Sequence, residues 1–230
     1  LLVWYREHAR ALPWRSHPTP YRVWISEIML QQTRVEAVIG YYKRFLMALP
    51  EVKDLACCED DALMKLWQGL GYYSRVRNLK KAATVIVETS GGELPADHGK
   101  LLKLPGIGDY TAGAIASIAF GISVPAVDGN VLRVITRIAA IYDDISDAKV
   151  KKSMEKLLLR VIPSDQPGTF NQALMELGAT VCIPNGSPRC EICPVKEYCL
   201  ANQEKLYEEI PVKEDLSINP KDYIGINKNI

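Results

Sequence analysis

The chain has 230 residues, of which 48% are hydrophobic and 24% charged, and its formal net charge at pH 7 is +1. This composition supports one good core or two small ones and excludes a disordered chain. The longest apolar run, at 112–120, is broken by Gly113 and Ser117 and predicts a buried helix, not a membrane span. We expect a soluble, cytoplasmic protein with no membrane partner, and the near-neutral charge leaves nucleic-acid binding open.

Apolar residues of the first half recur at the helical period in three segments, at 24–39, 63–67 and 79–86. Glu27 is a lone carboxylate within the apolar stretch of the first segment. Burial there would raise its pKa and keep a proton available near neutral pH, which suits a general acid. The alternative is a solvated glutamate in the first turn of a helix.

A cluster of basic residues marks the start of the third segment. These residues are Arg75, Arg77, Lys80 and Lys81. They form either a surface that contacts phosphate or an ordinary solvated helix face.

The motif LPGIG at 104–108 predicts a hairpin between two helices. Pro105 stops the first helix, and Gly106 and Gly108 permit a backbone that a side chain would forbid. Unpaired N–H groups at the start of the following helix would then attract a phosphate, without reading sequence. The alternative is a plain helix–helix turn.

Four further helices are predicted at 109–120, 129–142, 147–161 and 169–180. Asp128 and Asp147 are candidate N-caps, and Gly121 and Pro163 are candidate terminators. No convincing pair of strands appears anywhere, so the predicted fold class is all-α.

Four cysteines follow in one short loop, CIPNGSPRCEICPVKEYC, namely Cys182, Cys190, Cys193 and Cys199. The gaps of seven, two and five residues contain a single CxxC pair, which favours an iron–sulfur cluster over a structural zinc site. Two disulfides are the less favoured alternative, since residues at the N-terminus do not read as a signal peptide and Cys57 and Cys58 would form an awkward vicinal pair in an oxidising compartment. After Gln203 the periodicity is lost, so 204–230 is expected to be a tail or the start of a linker, with no second recognition domain.

LPGIGDYTA, VDGNVLR and the cysteine loop together resemble the endonuclease III superfamily of base-excision DNA glycosylases, which have a helix-hairpin-helix motif. Within it, SEIMLQQTRVEAV at 26–38 and GLGYYSRVRNL at 69–79 resemble the MutY branch, the adenine DNA glycosylases. The resemblance covers residues 1–203. It implies two helical lobes: a six-helix lobe at 14–121 with the hairpin, and a [4Fe-4S] lobe made of 1–13 and 122–203.

The resemblance also implies catalytic roles. Glu27 would protonate a ring nitrogen of an everted adenine, and Asp128 would stabilise the sugar cation as the base departs. Asn130 would orient Asp128 or water. Tyr110 stands where bifunctional relatives have the lysine that forms a Schiff base, which implies an enzyme that leaves an abasic site without cutting the strand.

The expected partner is double-stranded DNA carrying adenine opposite 8-oxoguanine or guanine, bound by a monomer that would be nucleoid-associated in a prokaryote. Gln31, Gln32 and Tyr72 are the candidates for side chains that intercalate into the duplex. By resemblance, Gln32 and Tyr72 would wedge beside the orphaned base, Leu70 would line the same loop, and Arg15 would line the adenine pocket. A thymine glycosylase for G:T mismatches and a non-catalytic lesion-binding module remain alternatives.

Two features depart from the family pattern. Seven residues, not the usual six, separate the first two cluster cysteines, which the loop should absorb. In the helix before the cysteines, where the family often has a glutamate, this chain has Gln172, so an amide would have to meet any polar role there.

Overall fold

The computed structural model of the protein describes residues 1–213, and every regular element in that range is helical. The α-helices are α1 (Leu2–His8), α2 (Pro13–Ser16), α3 (Pro20–Leu30), α4 (Val35–Ala48), α5 (Val52–Cys57), α6 (Asp60–Trp67), α7 (Ser74–Ser90), α8 (His98–Leu101), α9 (Asp109–Phe120), α10 (Gly129–Ala139), α11 (Ala148–Leu159), α12 (Pro167–Thr180) and α13 (Leu200–Glu204). Two 3₁₀ helices lie at Cys190–Ile192 and Lys196–Tyr198. Across this range no helix combines the length and the apolar character needed to cross a membrane. The predicted all-α fold is confirmed.

The helix termini follow local chemistry. Asp128 and Asp147 are the predicted N-caps, and each accepts a hydrogen bond from a backbone N–H of the following turn. Gly121 ends α9 with a left-handed φ of 65°. The predicted helix at 129–142 was too long: α10 ends at Ala139 because Ala140 turns left-handed, with φ of 49°.

The helices enclose two hydrophobic cores. The first core lies among α3 to α7 and α9, where Trp24, Phe45 and Trp67 are almost fully buried. The second core lies among α10, α11 and α12, around Val131 and Leu158. Each such side chain stabilises the fold by roughly 1.5–3 kcal/mol. Because α9 packs on both α3 and α12, it holds the two cores at a defined separation.

Both ends of the described chain pack on the second core. Helix α1 contacts α12, and Ile210 is 1% exposed. Arg137 donates to the carbonyls of Tyr207 and Ile210, and the N–H of Ile145 donates to the carbonyl of Val212 at 3.0 Å. The expected tail at 204–230 therefore packs against the rest of the protein at least as far as Val212. Residues 214–230 lie outside the described part of the chain.

Candidate active site

A cleft of about 890 Å³ lies between the two cores. Its walls come from α2, α3, α7, α9, α10 and α12, which are far apart in the sequence. Eight of the residues predicted to form the site line this cleft, namely Arg15, Glu27, Gln31, Gln32, Tyr72, Tyr110, Asp128 and Asn130. The fold therefore brings these side chains into one site.

Glu27 lies on α3 and is only 6% exposed, so the alternative of a solvated first-turn glutamate is wrong. Burial, with a smaller contribution from nearby Asp128, raises its pKa from 4.5 to about 7. A hydrogen bond from Tyr110 and the positive charge of Arg15 act in the opposite direction. Glu27 is therefore partly protonated at neutral pH and able to donate a proton into the cleft.

Tyr110 is the second residue of α9, directly after the hairpin. Its hydroxyl donates to Oε2 of Glu27 at 2.5 Å. Burial, followed by the charges of Glu27 and Asp128, raises the pKa of Tyr110 well above 10, so the phenol stays neutral. Tyr110 thus fixes the orientation of the Glu27 carboxyl group.

Asp128 is the N-cap of α10 and also a wall of the cleft, so both interpretations of this residue are correct. Its Oδ1 accepts from the N–H of Val131 and its Oδ2 accepts from the side-chain amide of Asn130, each at 2.8 Å. These donors and the N-terminus of an eleven-residue helix stabilise negative charge on the carboxylate. A fixed anion therefore faces the cleft.

Asn130 is itself held in place by Arg133. The guanidinium of Arg133 donates to Oδ1 of Asn130, to the carbonyl of Gly178 and to the carbonyl of Cys182, each at 2.8 Å. Helix α12 passes so close that a Cβ on Gly178 would lie 2.6 Å from Cβ of Asn130. One buried arginine thus links the support of Asp128 to the first residue of the cysteine loop.

Arg15 lines the other end of the cleft and belongs to a buried ion-pair cluster that the sequence analysis missed. Glu176 on α12 accepts two side-chain hydrogen bonds from Arg10 and one from Arg15, at 2.8–3.0 Å. Burial alone would raise the pKa of Glu176, but these donors outweigh it and lower the pKa to about 2. Gln172, one turn earlier on α12, also lines the cleft, and its amide oxygen accepts from the hydroxyl of Tyr5 at 3.0 Å.

The predicted wedge residues lie on two turns at the mouth of the cleft. Gln32 and Tyr72 are exposed and have positive φ of 57° and 47°. Such values are uncommon for residues with side chains and often accompany function. Leu70 lies in the second turn, but it is 6% exposed and belongs to the first core, so it supports that turn without lining the cleft.

The hairpin lies outside the cleft. Gly106 has φ of 76°, and a Cβ there would approach Cβ of Asn78 to 2.7 Å. Gly108 is the N-cap of α9, and a Cβ there would meet nothing within 4 Å, so its backbone faces open space. The start of α9 is therefore accessible to a ligand.

The cysteine loop gathers its thiols around a cavity of about 30 Å³, which is lined by all four predicted ligands, Cys182, Cys190, Cys193 and Cys199. Burial, together with the neighbouring thiols, raises the pKa of Cys190 and of Cys199. Arg137 donates to Sγ of Cys182 at 3.4 Å. Among residues 1–213 no group of three or more His, Cys, Asp or Glu could hold a single metal ion.

A cavity lined by four thiols fits an iron–sulfur cluster, whose ligands are cysteine thiolates. Such a cluster accepts irregular spacings along the chain, because the inorganic core sets the geometry. When bound, it would hold the loop around the second core.

Two family models match the chain. Residues 25–160 match the HhH-GPD superfamily base excision DNA repair protein, and residues 186–199 match the iron-sulfur binding domain of endonuclease III. The second match includes three of the four cysteines and supports an iron–sulfur cofactor over zinc or disulfides.

Curated relatives include adenine DNA glycosylases. The protein from Buchnera aphidicola subsp. Acyrthosiphon pisum is 41% identical over 93% of this chain and 61% of its own length. The protein from Homo sapiens is 45% identical over 96% of this chain and 42% of its own length. The chain thus spans less than two thirds of the length of each of these relatives.

Solved structures show the same fold. A thermostable thymine-DNA glycosylase matches with a TM-score of 0.77 and 28% identity, over 88% of this chain and 93% of the other. Endonuclease III in a non-covalent complex with DNA matches with a TM-score of 0.73 and 26% identity, over 89% of this chain and 94% of the other. The two-lobed fold predicted from the sequence is confirmed.

Proposed function

Because the chain belongs to the HhH-GPD superfamily of base excision DNA repair proteins, we propose that it is a monofunctional adenine DNA glycosylase. It removes adenine from a mispaired duplex by hydrolysing the bond between the base and its deoxyribose, and it leaves an abasic site. The observation that carries this proposal is the pairing of a buried, partly protonated Glu27 with a hydrogen-bonded Asp128 across one cleft.

Glu27 acts as the general acid. Adenine leaves poorly as an anion, and protonation of a ring nitrogen makes it a neutral leaving group. A pKa of about 7 leaves Glu27 partly protonated at neutral pH, so a proton is available for transfer. The hydrogen bond from Tyr110 directs the other carboxyl oxygen into the cleft.

Asp128 stabilises the sugar as positive charge develops on it. Departure of the base leaves a cation of oxocarbenium type, and a carboxylate beside it lowers the barrier by charge attraction. Asn130 and the N–H of Val131 hold that carboxylate before the substrate arrives, so no reorganisation is needed during the reaction. Two carboxyl groups thus perform different tasks because their environments differ.

Tyr110 also supports the monofunctional assignment. Bifunctional members of the superfamily place a lysine at this position, and its amine attacks the sugar to form a Schiff base. A neutral phenol that donates to Glu27 has no such reaction. Water completes the hydrolysis, and the DNA strand stays intact.

The remaining predicted residues bind and open the duplex. Gln31, Gln32 and Tyr72 enter the space beside the orphaned partner base, and Arg15 lines the pocket that receives the adenine. The N–H groups after Gly106 and Gly108, at the start of α9, hold a phosphate.

Several finer assignments belong to the same proposal. The substrate carries adenine opposite 8-oxoguanine or guanine, and the protein acts as a monomer, in the cytoplasm or on the nucleoid of a prokaryote. The hairpin lobe is 14–121, and the cluster lobe combines 1–13 with 122–203. The ligands of a [4Fe-4S] cluster are the four cysteines of the loop, which lines one cavity.

A base-release assay tests the proposal. Duplexes with adenine opposite 8-oxoguanine or guanine should release adenine, and the strand should break only after alkaline treatment. Glu27→Gln should abolish release, whereas Glu88→Gln, at an exposed carboxylate of α7, should not. No adenine release by the unaltered protein would refute the assignment.

Thymine release from G:T mismatches is the second candidate, because a thymine-DNA glycosylase shares the fold. The adenine DNA glycosylases are more similar in sequence, at 41% and 45% identity compared with 28%. A G:T duplex in the same assay distinguishes the two. Release of thymine without adenine would establish the alternative, and lesion binding without any release would indicate a non-catalytic module.

A further inference from the structure

We propose that Arg75 is a positioning residue that fastens two turns at the cleft mouth into one rigid unit, on which eversion of the target base depends. The first turn is 31–33, which follows α3, and the second turn is 68–73, which precedes α7. The inference rests on the proposed function for the task of these turns, but the fastening itself is a property of the free protein.

The guanidinium of Arg75 reaches five carbonyl oxygens on the two sides. Nη1 donates to the carbonyls of Gln31, Ile28 and Met29 at 2.6, 2.9 and 3.3 Å, at the end of α3 and the start of the first turn. Nη2 donates to the carbonyls of Leu70 and Gly71 at 3.0 and 3.3 Å, in the second turn. One planar group thus spans both turns.

The other described hydrogen bonds of each turn are local. In the first turn, the N–H of Thr33 donates to the carbonyl of Leu30 at 3.3 Å. In the second, the indole of Trp67 donates to the carbonyl of Gly71 at 3.0 Å. Within residues 1–213, the hydrogen bonds that join one turn to the other all come from Arg75.

Both turns contain backbone conformations that need support. Gln32 and Tyr72 have positive φ, which carries an energetic cost for a residue with a side chain. Gly69 and Gly71 also have positive φ, of 101° and 70°, so the second turn has little intrinsic preference for its observed shape. Contacts with Arg75 offset this cost and select one arrangement.

Arginine is suited to this task and lysine is not. The Arg75 guanidinium lies between two rings, with Cζ 5.5 Å from the centroid of Trp67 and 5.3 Å from that of Tyr72. No carboxylate in the described part of the chain lies within ion-pairing distance of Arg75. Its partners are carbonyl dipoles on two sides, which a planar fork can reach together and a single ammonium cannot.

This placement corrects the interpretation of Arg75 as one member of a basic helix start. Its side chain turns inward to the carbonyls, whereas Arg77 on the same helix is exposed. The side chains that it supports, Gln32 and Tyr72, are the exposed ones at the mouth. Side chains that intercalate into the duplex must keep their positions while the base pair is open. Two turns that are held together keep them in place better than two turns that move independently.

Amide hydrogen exchange on the free protein tests the fastening. Arg75→Met removes every contact, and Arg75→Lys keeps the charge but loses the fork. Both variants should exchange about tenfold to a hundredfold faster in both turns at once, as expected for the loss of charge-assisted hydrogen bonds. Exchange in α4 and α10 should be unchanged, which shows that the fold is intact. Arg160→Met and Arg160→Lys, at an exposed arginine, are charge-matched controls with no effect on either turn.

Eversion is measured separately with duplexes that carry 2-aminopurine in place of the target adenine, whose fluorescence rises on unstacking. At saturating protein, both Arg75 variants should reduce the unstacked population about tenfold, and the Arg160 variants should not. If Arg75→Met speeds amide exchange in only one of the two turns, or in neither, the proposal that Arg75 fastens them is overturned. If exchange becomes faster in both turns but the 2-aminopurine fluorescence is unchanged, the link between fastening and eversion is overturned. If the unaltered protein itself gives no fluorescence change but both turns loosen in the variants, the proposed function fails and the fastening stands.

Discussion

Replacement of Glu27 by glutamine is expected to make the protein inactive and, at alkaline pH, more stable. The glutamine keeps the volume of the side chain and still accepts the hydrogen bond from Tyr110. It removes the charge that burial disfavours. Catalysis needs the proton that Glu27 carries, whereas folding is hindered by its ionised form.

The magnitude follows from the pKa. The pKa of Glu27 rises from 4.5 to about 7 on folding. The folded state therefore binds the proton more tightly than the unfolded chain, and the free energy of unfolding falls as pH rises from about 4.5 to about 7. At 1.36 kcal/mol for each pKa unit, ionisation of Glu27 costs the folded state about 3 kcal/mol above that interval.

Thermal unfolding of Glu27→Gln at two pH values measures this cost. At pH 8 and a fixed scan rate, the midpoint should rise by about 6–12 °C for a chain of this size. At pH 4.5 the difference should nearly vanish, because Glu27 is then protonated in the folded protein. Glu88→Gln, on the exposed face of α7, controls for the loss of one surface charge. An equal midpoint change at both pH values, or a lower midpoint at pH 8, would show that the burial argument is wrong.

Three further changes separate the other parts of the site. Tyr110→Phe removes the hydrogen bond that lowers the pKa of Glu27, so the alkaline limb of the pH profile of kcat/KM should move up by about one pH unit; a downward shift would contradict this role. Glu176→Gln leaves two arginines without their counter-charge and should lower the free energy of unfolding by about 3 kcal/mol, the low end for a buried pair because the arginines are partly exposed. Its thermal midpoint at pH 7 measures this, and an unchanged midpoint would contradict it. Gly106→Ala and Gly121→Ala both place a Cβ at positive φ, but only the first meets a neighbouring side chain. Duplex affinity, measured by fluorescence anisotropy, should therefore fall much more for Gly106→Ala, and equal losses would remove the hairpin from DNA binding.

Local patterns in the sequence predicted much of the fold. The bounds of the helix at 109–120 were correct because Gly108 and Gly121 mark both ends in the sequence itself. The N-cap at Asp128 was also predicted correctly from the local sequence. The end of α10 could not be predicted in this way, since Ala140 adopts a left-handed conformation that alanine does not favour. The hydrophobic period of a sequence locates its helices well, but it does not determine the residue at which a helix ends.

The site was harder to predict because its contacts join distant residues. Tyr110 and Glu27 lie 83 positions apart, and only the resemblance to a family placed both in one site. Glu176 shows the same pattern as Glu27, a carboxylate within an apolar helix, but its arginine partners come from a distant part of the sequence. The inward direction of Arg75 depends on two turns that approach it only in the folded chain. The position of a residue in a helix predicts on which face of the helix its side chain lies, but not which residues of other segments that side chain contacts.

The cluster around Glu176 closes the cleft with residues from the start of the chain and from α12. Arg10 and Arg15 precede Glu176 by 166 and 161 residues. A ribosome adds about 5–20 residues each second, so Glu176 is synthesised roughly 10–30 s after these arginines. The residues of the hairpin and of the first core have all been added by then, whereas one wall of the cleft has not. A chain that terminates before α12 therefore contains the hairpin but lacks the wall that α12 gives to the cleft. The order of synthesis thus leaves the cleft incomplete until α12 has been made.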